Sequence, residues 1–413
     1  MLKRIFSFLV IVCIGFKSAT TLAATNYSSF TQKLELAVKG NADAQCSVGL
    51  SYFNGDDVAQ DYSEAVRWYR RAANQGHADA QFYLGGCYYY GYGVQQNYTE
   101  TVKLWHSSAE QNHEFAQYFL GDCYYQGLGV QQNLAEAAKC FLKSAENGYT
   151  RAQYRIALSY KYGRGVKQDI AEASKWFRKA AEKEDAESQF ELGSLYFDGN
   201  GIPQNYNEAL TWFRRAAERG HADAMFNMGL CYFNGQGVPQ DYTEALKWFL
   251  KSAEKGQTSA MVNIGYCNIN GYGIPVNDTE GIQWYRKAAE QNNPAAQFNL
   301  GVCYYLGENV AKNQSEGILW FHKAAEQGYI PAQFNLGFIY YKGEGIARDY
   351  NEATKWLKHA AEHGDANSQY LLGICYYNGR GVPKDIAEAK RLHKLAAEQG
   401  VTNAEQCLQI LNH

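Results

Sequence analysis

Two short motifs carry residue types that could support hydrolytic chemistry. Residues 359–363 spell H-x-x-E-H, which on a helix would place two histidines one turn apart as zinc ligands. Residues 252–255 spell S-x-x-K, the pattern of a serine nucleophile and its lysine in penicillin-binding enzymes. The supporting context is missing: no Ser-Asp-Asn or Lys-Thr-Gly sequence occurs, and Glu362 belongs to an Ala-Ala-Glu element that recurs along the chain. The sequence therefore predicts no catalytic residue, no cofactor and no metal.

The dominant pattern is a repeat of 36 residues without insertion or deletion. It is clearest in one column of ten glycines: Gly55, Gly91, Gly127, Gly163, Gly199, Gly235, Gly271, Gly307, Gly343 and Gly379. Self-similarity at a fixed period is the sequence signature of a solenoid. A length of 413 residues alone would indicate two or three domains, but the repeat predicts one elongated array instead.

Each repeat predicts two helices, A and B. Helix A contains a glycine near its middle, such as Gly85, which indicates close approach to another helix. Helix A then ends at Gly-x-Gly, and the second glycine is replaced only by Asp57 and Asn309, which tolerate the left-handed conformation. Helix B begins at Asn or Asp with Glu three residues later, as at Asp241 and Glu244, which resembles a capping box.

The full pattern resembles the Sel1-like repeat, and residues 222–256 display it almost completely. It reads A-x-x-x-L-G-x-x-Y-x-x-G-x-G-V-x-x-[DN]-x-x-E-A-x-x-W-x-x-x-A-A-E-x-G and covers nearly the whole chain after the N-terminus. The resemblance implies an all-α fold: a right-handed α/α solenoid, or superhelix, related to tetratricopeptide repeats, with half-repeat caps. Family members serve as adaptors for protein complexes, and secreted bacterial members often act in host interaction.

The N-terminal residues indicate export. Lys3 and Arg4 precede an apolar run over 5–16, and small residues follow up to Ala24, as in a signal peptide; an uncleaved interfacial anchor is the alternative. The expected organisation is a signal peptide over 1–24, an N-terminal capping helix over 25–41, ten Sel1-like repeats over 42–401 and a C-terminal capping helix over 402–413. Because no long apolar run follows, we expect no transmembrane segment in the mature chain, which would be periplasmic or secreted.

The charge balance argues against a nucleic-acid partner. With 39 Lys and Arg against 42 Asp and Glu, the formal net charge is −3. Nucleic-acid binders usually carry a marked basic excess. The partner is therefore expected to be a protein or peptide.

Most cysteines are expected to be structural. Six share one position of helix A: Cys87, Cys123, Cys231, Cys267, Cys303 and Cys375. Stacked helices lie about 8–10 Å apart, farther than the roughly 7 Å limit between the Cα atoms of a disulfide. These six should therefore be small buried apolar residues. A disulfide between Cys123 and Cys140, joining the two helices of repeat three, is conceivable.

Two columns of helix A, seven residues apart and mostly Phe or Tyr, form the predicted partner-binding surface. They lie on one helix face, and by analogy with tetratricopeptide repeats this face would be concave. Asparagines beside the second column could bond an extended peptide backbone. The predicted site comprises Phe190, Phe226, Phe233, Asn234, Asn270, Phe298, Tyr305, Phe334 and Tyr341. The alternative is that the aromatic residues only pack helices together.

Together these features predict an exported, non-enzymatic scaffold that binds a peptide or protein through its concave face, with a role in host interaction. One alternative is a weak β-lactamase or peptidoglycan-related hydrolase of the cysteine-rich Sel1-like type, using Ser252. The other is a lumenal adaptor of a eukaryotic secretory pathway, because four asparagines stand in glycosylation sequons: Asn26, Asn97, Asn277 and Asn313.

Overall fold

A computed structural model describes residues 29–412, and every regular element in this range is an α-helix. The helices are α1 Phe30–Val38, α2 Ala42–Asn54, α3 Tyr62–Ala73, α4 Ala78–Tyr90, α5 Tyr98–Glu110, α6 Glu114–Gln126, α7 Leu134–Glu146, α8 Thr150–Tyr162, α9 Ile170–Glu182, α10 Ala186–Asp198, α11 Tyr206–Glu218, α12 Ala222–Asn234, α13 Tyr242–Glu254, α14 Thr258–Asn270, α15 Asp278–Glu290, α16 Pro294–Leu306, α17 Gln314–Glu326, α18 Ile330–Lys342, α19 Tyr350–Glu362, α20 Ala366–Asn378, α21 Ile386–Glu398 and α22 Thr402–Asn412. The expected signal peptide lies outside the described residues.

Even-numbered helices from α2 to α20 are the A helices of repeats one to ten, and odd-numbered helices from α3 to α21 are the B helices. The chain divides into two compact units, unit 1 up to Asn205 and unit 2 from Tyr206 onward. Within each unit, a B helix packs against the A helix of its own repeat and the A helix of the next repeat. The predicted all-α array of helix pairs is confirmed; the proposed limits of the caps stay predictions.

The helix ends follow the predicted local chemistry. In repeat six, α12 ends at Gly235 with φ of 69°, and α13 begins where the side chain of Asp241 accepts a hydrogen bond from the backbone N–H of Glu244 at 2.9 Å. Asp57 and Asn309 have φ of 64° and 66°. The left-handed column is thus confirmed, and these two replacements are the kinds of residue that this conformation tolerates.

The capping box predicted at the start of helix B forms only one of its two hydrogen bonds. The side chain of Asp241 accepts from the N–H of Glu244, but the Glu244 side chain does not accept from the N–H of Asp241. The N-cap N–H of Asp241 donates to the carbonyl of Tyr232 at the end of α12, at 2.9 Å. Because a tertiary contact already satisfies this N–H, Glu244 does not reach back to it. The Glu244 carboxylate instead pairs with Lys247, with Oε2 and Nζ 2.9 Å apart, one turn further along the helix.

The mid-helix glycine of helix A provides space for a large side chain of helix B. A Cβ atom on Gly229 would lie 2.5 Å from the ring of Phe249, and one on Gly85 would lie 2.6 Å from Trp105. Real Cβ atoms do not approach so closely, so the predicted close approach of the helices is confirmed. The B-helix residues at this position form the centre of the core, where Tyr69, Trp105, Phe141, Phe177, Phe249 and Phe321 are almost fully buried.

A buried glutamine near the start of helix A connects consecutive repeats. The Gln45 Nε2 donates to the carbonyl of Ala37 at 3.0 Å, and its Oε1 accepts from Gln75 at 2.7 Å. The same chain of bonds recurs at Gln297 and Gln369 in unit 2. These bonds give a second, side-chain donor to carbonyls at the C-terminal end of the preceding helix, each of which already accepts one backbone N–H.

Candidate functional site

The predicted phenylalanines are half-buried, and those of repeats six and eight pack on helix B. In repeat six the ring centroids of Phe226 and Phe233 lie 5.9 Å and 6.4 Å from that of Phe249. Phe249 itself occupies the space above Gly229. The two predicted residues therefore form part of the core wall, and only their remaining surface is available to a partner.

The same arrangement recurs in repeat eight. Phe298 and Tyr305 lie 5.6 Å and 5.9 Å from Phe321 between ring centroids. Phe334 in α18 lies 6.2 Å from Phe338, and Phe190 in α10 is likewise half-buried. The predicted columns thus combine a packing role with partial exposure.

The candidate tyrosines also link neighbouring repeats. The Tyr305 hydroxyl donates to the carbonyl of Glu344 at 3.2 Å, and the Tyr341 hydroxyl accepts from Arg380 at 2.7 Å. Glu344 and Arg380 are the middle residues of the Gly-x-Gly loops that follow in the next repeat. These hydroxyls therefore hold the loops in place.

The candidate asparagines are exposed but already use their amide nitrogens. Asn270 Nδ2 donates to the carbonyl of Tyr266 at 2.9 Å, within α14. Asn234 Nδ2 donates to Gln236 at 3.4 Å, beyond the end of α12. A peptide backbone would have to use the amide oxygens or displace these bonds.

Sequence reasoning missed another position on the same face of helix A. In unit 2 this position, directly after the first aromatic column, is asparagine in four consecutive repeats: Asn227, Asn263, Asn299 and Asn335. All four are partly exposed. The regular spacing was visible in the sequence, but polar residues on a helix surface are common, and nothing there distinguished them.

In repeats four and five of unit 1 the corresponding position carries charges that cross-link the A helices. Arg155 of α8 pairs with Asp122 of α6, with Nη2 and Oδ1 2.7 Å apart. Glu191 of α10 pairs with Lys161 of α8, with Oε2 and Nζ 2.6 Å apart. Burial raises the pKa of Asp122 although Arg155 acts in the opposite direction. For Lys161, burial lowers the pKa, but the hydrogen bond and charge of Glu191 outweigh it and raise the pKa overall.

The motifs with catalytic residue types have structural roles where they lie. Ser252 is fully buried, and its hydroxyl donates to the carbonyl of Ala222 at 2.8 Å. His363 Nδ1 donates to the carbonyl of His359 at 2.7 Å near the exposed C-terminal end of α19. Within residues 29–412, no three His, Cys, Asp or Glu side chains cluster as metal ligands. The S-x-x-K serine is thus inaccessible to a substrate in this conformation.

The cysteines follow the structural prediction. The nine cysteines in the described part of the chain are free thiols, including Cys123 and Cys140, and the six of the shared helix A position are buried. Burial raises the pKa of Cys87 to about 12 and that of Cys267 to about 11. Since the thiolate is the nucleophile, these thiols are poorly reactive.

The chain is a series of helix pairs, and in each pair the same position of helix B packs over the small residue in the middle of helix A. This arrangement defines an α-helical repeat protein, a class that typically serves as a scaffold for protein–protein interaction. The chain belongs to the Sel1 repeat family. The repeat matches ten segments: residues 42–77, 78–113, 115–149, 150–185, 186–221, 222–257, 258–293, 294–329, 330–365 and 366–401. Over residues 29–412, no helix is both long and apolar enough to cross a membrane.

Two solved structures resemble the chain over most of its length. One is c5321, a protective antigen present in uropathogenic Escherichia coli strains and displaying an SLR fold; it is 36% identical, with 92% of this chain and 81% of that chain covered and a TM-score of 0.71. The other is a Sel1 repeat protein from Oxalobacter formigenes, 30% identical, with 75% and 90% covered and a TM-score of 0.63. No curated protein matches the sequence.

Proposed function

We propose that the protein is an exported, non-catalytic scaffold that binds a peptide or protein partner through the solvent-facing side of its A helices and acts in host interaction. One observation carries this proposal. The first aromatic column remains partly exposed in five consecutive repeats of unit 2, at Phe226, Val262, Phe298, Phe334 and Tyr370. Apolar side chains with partial exposure at one repeated position are typical of interaction surfaces.

Two observations support export and host interaction. The sequence begins with a basic, then apolar, then small-residue segment of the kind that directs export. In addition, the similar protein c5321 is a protective antigen present in uropathogenic Escherichia coli strains, which supports a role in host interaction. Both similar structures come from bacteria, which favours a bacterial periplasm or exterior over a eukaryotic lumen.

Export can be tested directly by expressing the full chain in a bacterium and sequencing the N-terminus of periplasmic and extracellular material. We expect the mature chain to begin within a few residues of Ala24. An intact Met1 in that material, or retention of the whole product in the cytoplasm, would contradict the proposal.

Binding can be tested by immobilising the exported protein, capturing partners from host material and measuring affinity for each partner after identification. Phe233→Ala should weaken binding by about tenfold or more, since aromatic anchors often dominate an interface. Leu319→Ala is the matched control, because Leu319 is 58% exposed but lies on a B helix, α17. Equal affinities for both variants, with both still folded, would show that the A-helix face is not the binding surface.

The absence of catalysis can be tested by measuring β-lactam hydrolysis. Saturable hydrolysis that Ser252→Ala abolishes would overturn the non-catalytic assignment.

A further inference from the structure

One position of helix B is tryptophan in most repeats but not in the last. It is tryptophan in seven of the ten repeats: Trp68, Trp176, Trp212, Trp248, Trp284, Trp320 and Trp356. The three exceptions are Leu104, Cys140 and Leu392. Leu392 lies in α21, the B helix of repeat ten. Because a leucine side chain is much smaller than an indole ring, repeat ten has less volume filled at this position.

Repeat nine shows what surrounds the indole ring where it is present. Trp356 of α19 belongs to a buried cluster that includes Ala325 of the preceding B helix α17 and Leu336 of α18, the A helix of its own repeat. Trp320 of repeat eight clusters with the equivalent alanine and leucine. The tryptophan position therefore lies between two consecutive B helices and against the A helix that connects them.

In repeat ten the equivalent residues border a cavity. Ala361 of α19 and Leu372 of α20 stand one repeat after Ala325 and Leu336, and they cluster with Leu392. A cavity of about 370 Å³ is lined by all three residues. This volume lies at the lower end of the range for ligand sites, which suits a single ring or side chain.

Repeat ten also retains the acceptor that an indole N–H uses in other repeats. In repeat eight, Trp320 Nε1 donates to Glu316 at 2.9 Å, and the same bond forms in repeats five and seven. The equivalent glutamate in repeat ten is Glu388, which lines the cavity. Glu388 accepts two hydrogen bonds from Arg391, each 2.7 Å long. Since a carboxylate has about four acceptor sites, Glu388 can accept a further N–H from a ligand.

A cation is available for the face of the ring. In repeat eight, the ammonium of Lys323 lies 3.8 Å from the centroid of the Trp320 ring. The residue equivalent to Lys323 in repeat ten is Leu395, which contributes an apolar part of the cavity wall. Arg391 also lines the cavity, and a guanidinium group stacks well on aromatic faces. The cavity thus combines apolar walls, an acceptor for an N–H and a cation.

The ring that fits this cavity has to come from another kind of molecule. All eight tryptophans of the chain lie within residues 29–412, and none of them is exposed there. A second folded copy of the chain therefore presents no tryptophan side chain that could enter the cavity. A partner segment with an accessible tryptophan would bury a large apolar surface here and satisfy the indole N–H.

We propose that the cavity between repeats nine and ten binds a tryptophan side chain of a protein or peptide partner. The indole ring takes the place that Trp320 and Trp356 occupy in their own repeats, with its Nε1 donating to Glu388 and its face against Arg391. The residues that line the cavity are all different from those of the predicted partner-binding surface. The inference therefore does not depend on the A-helix face.

The probe is N-acetyl-L-tryptophan amide, a capped tryptophan without main-chain charges. It is titrated into the full chain while the methyl signals of Ala361, Leu372 and Leu395 are followed by NMR. Leu392→Trp restores the tryptophan of the repeat and so fills the cavity from within the protein. The matched control is Leu319→Trp, which adds a tryptophan at a position of the B helix α17 that is 58% exposed.

We expect saturable shifts of the three methyl signals with a dissociation constant on the order of 1 mM or tighter. Leu392→Trp should weaken binding by about tenfold or more, because its own indole competes for the cavity. Leu319→Trp should bind within about twofold of wild type, and circular dichroism should show both variants folded. Methylation of the indole nitrogen in the probe should weaken binding about fivefold by removing the bond to Glu388.

Four results would contradict the proposal. Unshifted methyl signals, equal binding of N-acetyl-L-leucine amide, or unchanged binding by Leu392→Trp would each show that the cavity does not bind an indole ring. Free L-tryptophan that binds about tenfold or more tightly than the capped form would show a site for the amino acid itself instead of a protein side chain. Equal binding of the methylated probe would remove Glu388 as the acceptor.

Discussion

The A helices of repeats three to five and those of repeats six to nine share their ends and a small residue, glycine or alanine, at the middle of the helix, yet they have contrasting surfaces. In the first group, residues such as Asp122, Arg155, Lys161 and Glu191 form ion pairs between adjacent helices. In the second group the equivalent face consists of amides and apolar residues. The interior is similar in both groups, as Phe177 and Phe249 illustrate. The core therefore specifies the fold and leaves the outer face of helix A free to diverge.

The largest expected effect tests whether the two cores are equivalent. Phe177→Ala in unit 1 and Phe249→Ala in unit 2 should each reduce stability by about 3–5 kcal/mol, because each removes a fully buried aromatic ring. Native-state hydrogen exchange over the mutated repeat measures this locally, since repeat arrays need not unfold in one step. A difference of more than about 2 kcal/mol between the variants would show that the cores differ as well as the surfaces.

A medium effect on stability is expected when the ion pair between Asp122 and Arg155 in unit 1 is replaced by the kinds of residue found at these positions in unit 2. Asp122→Leu alone should destabilise by about 1–3 kcal/mol, because it leaves the half-buried guanidinium of Arg155 without its partner. Adding Arg155→Asn should bring stability back to within about 1 kcal/mol of wild type, since burial already disfavours the Asp122 charge. Hydrogen exchange over α6 and α8 provides the comparison. A double variant less stable than the single one would mean that Arg155 stabilises these repeats through its contacts with the rings of Tyr125 and Phe141 rather than through the ion pair.

The smallest effect concerns the pH dependence of the Lys161–Glu191 pair. The pKa of Lys161 is raised above 10.5 in the folded protein, so its stabilising contribution is complete below 10.5 and is lost as pH rises through the folded-state pKa. Wild type should exceed Lys161→Met in stability by up to about 1 kcal/mol at neutral pH, and the difference should shrink above pH 10.5. Melting curves at several pH values measure it, with Lys167→Met as control. A difference that is constant with pH would show that the charge contributes nothing.

The helix ends could be predicted from sequence because their causes are local. Gly235 ends α12 and Asp241 begins α13 through bonds within a few residues. The hydrogen bonding of Glu244 could not be predicted. The N-cap N–H of Asp241 donates to the carbonyl of Tyr232 instead of to Glu244, and Tyr232 belongs to the preceding helix. Local spacing therefore determines where a helix begins, whereas the tertiary contact determines which bonds remain for its side chains.

The candidate site was less accessible to sequence reasoning. Their aromatic side chains make Phe226 and Phe233 predictable as candidates, but the exposure of these side chains depends on where Phe249 packs. Nothing in its own repeat distinguishes Asn263 from other polar surface residues. The ion pairs of Arg155 and Glu191, which stand at the equivalent position in unit 1, show that a side chain there can contact the preceding A helix.

The constant repeat length has a consequence for how the gene can change. Every repeat places the glycine that ends helix A and the N-cap of helix B at the same offset, with no insertion over ten copies. Gly235 and Gly271 are 36 positions apart like every other neighbouring pair. At three nucleotides per residue, unequal recombination between two copies preserves the reading frame and joins a complete B helix to a complete A helix. Whole repeats can then be gained or lost in one event. The surface of the A helices can lengthen, shorten or exchange its residues while each surviving junction keeps the contacts that it had before.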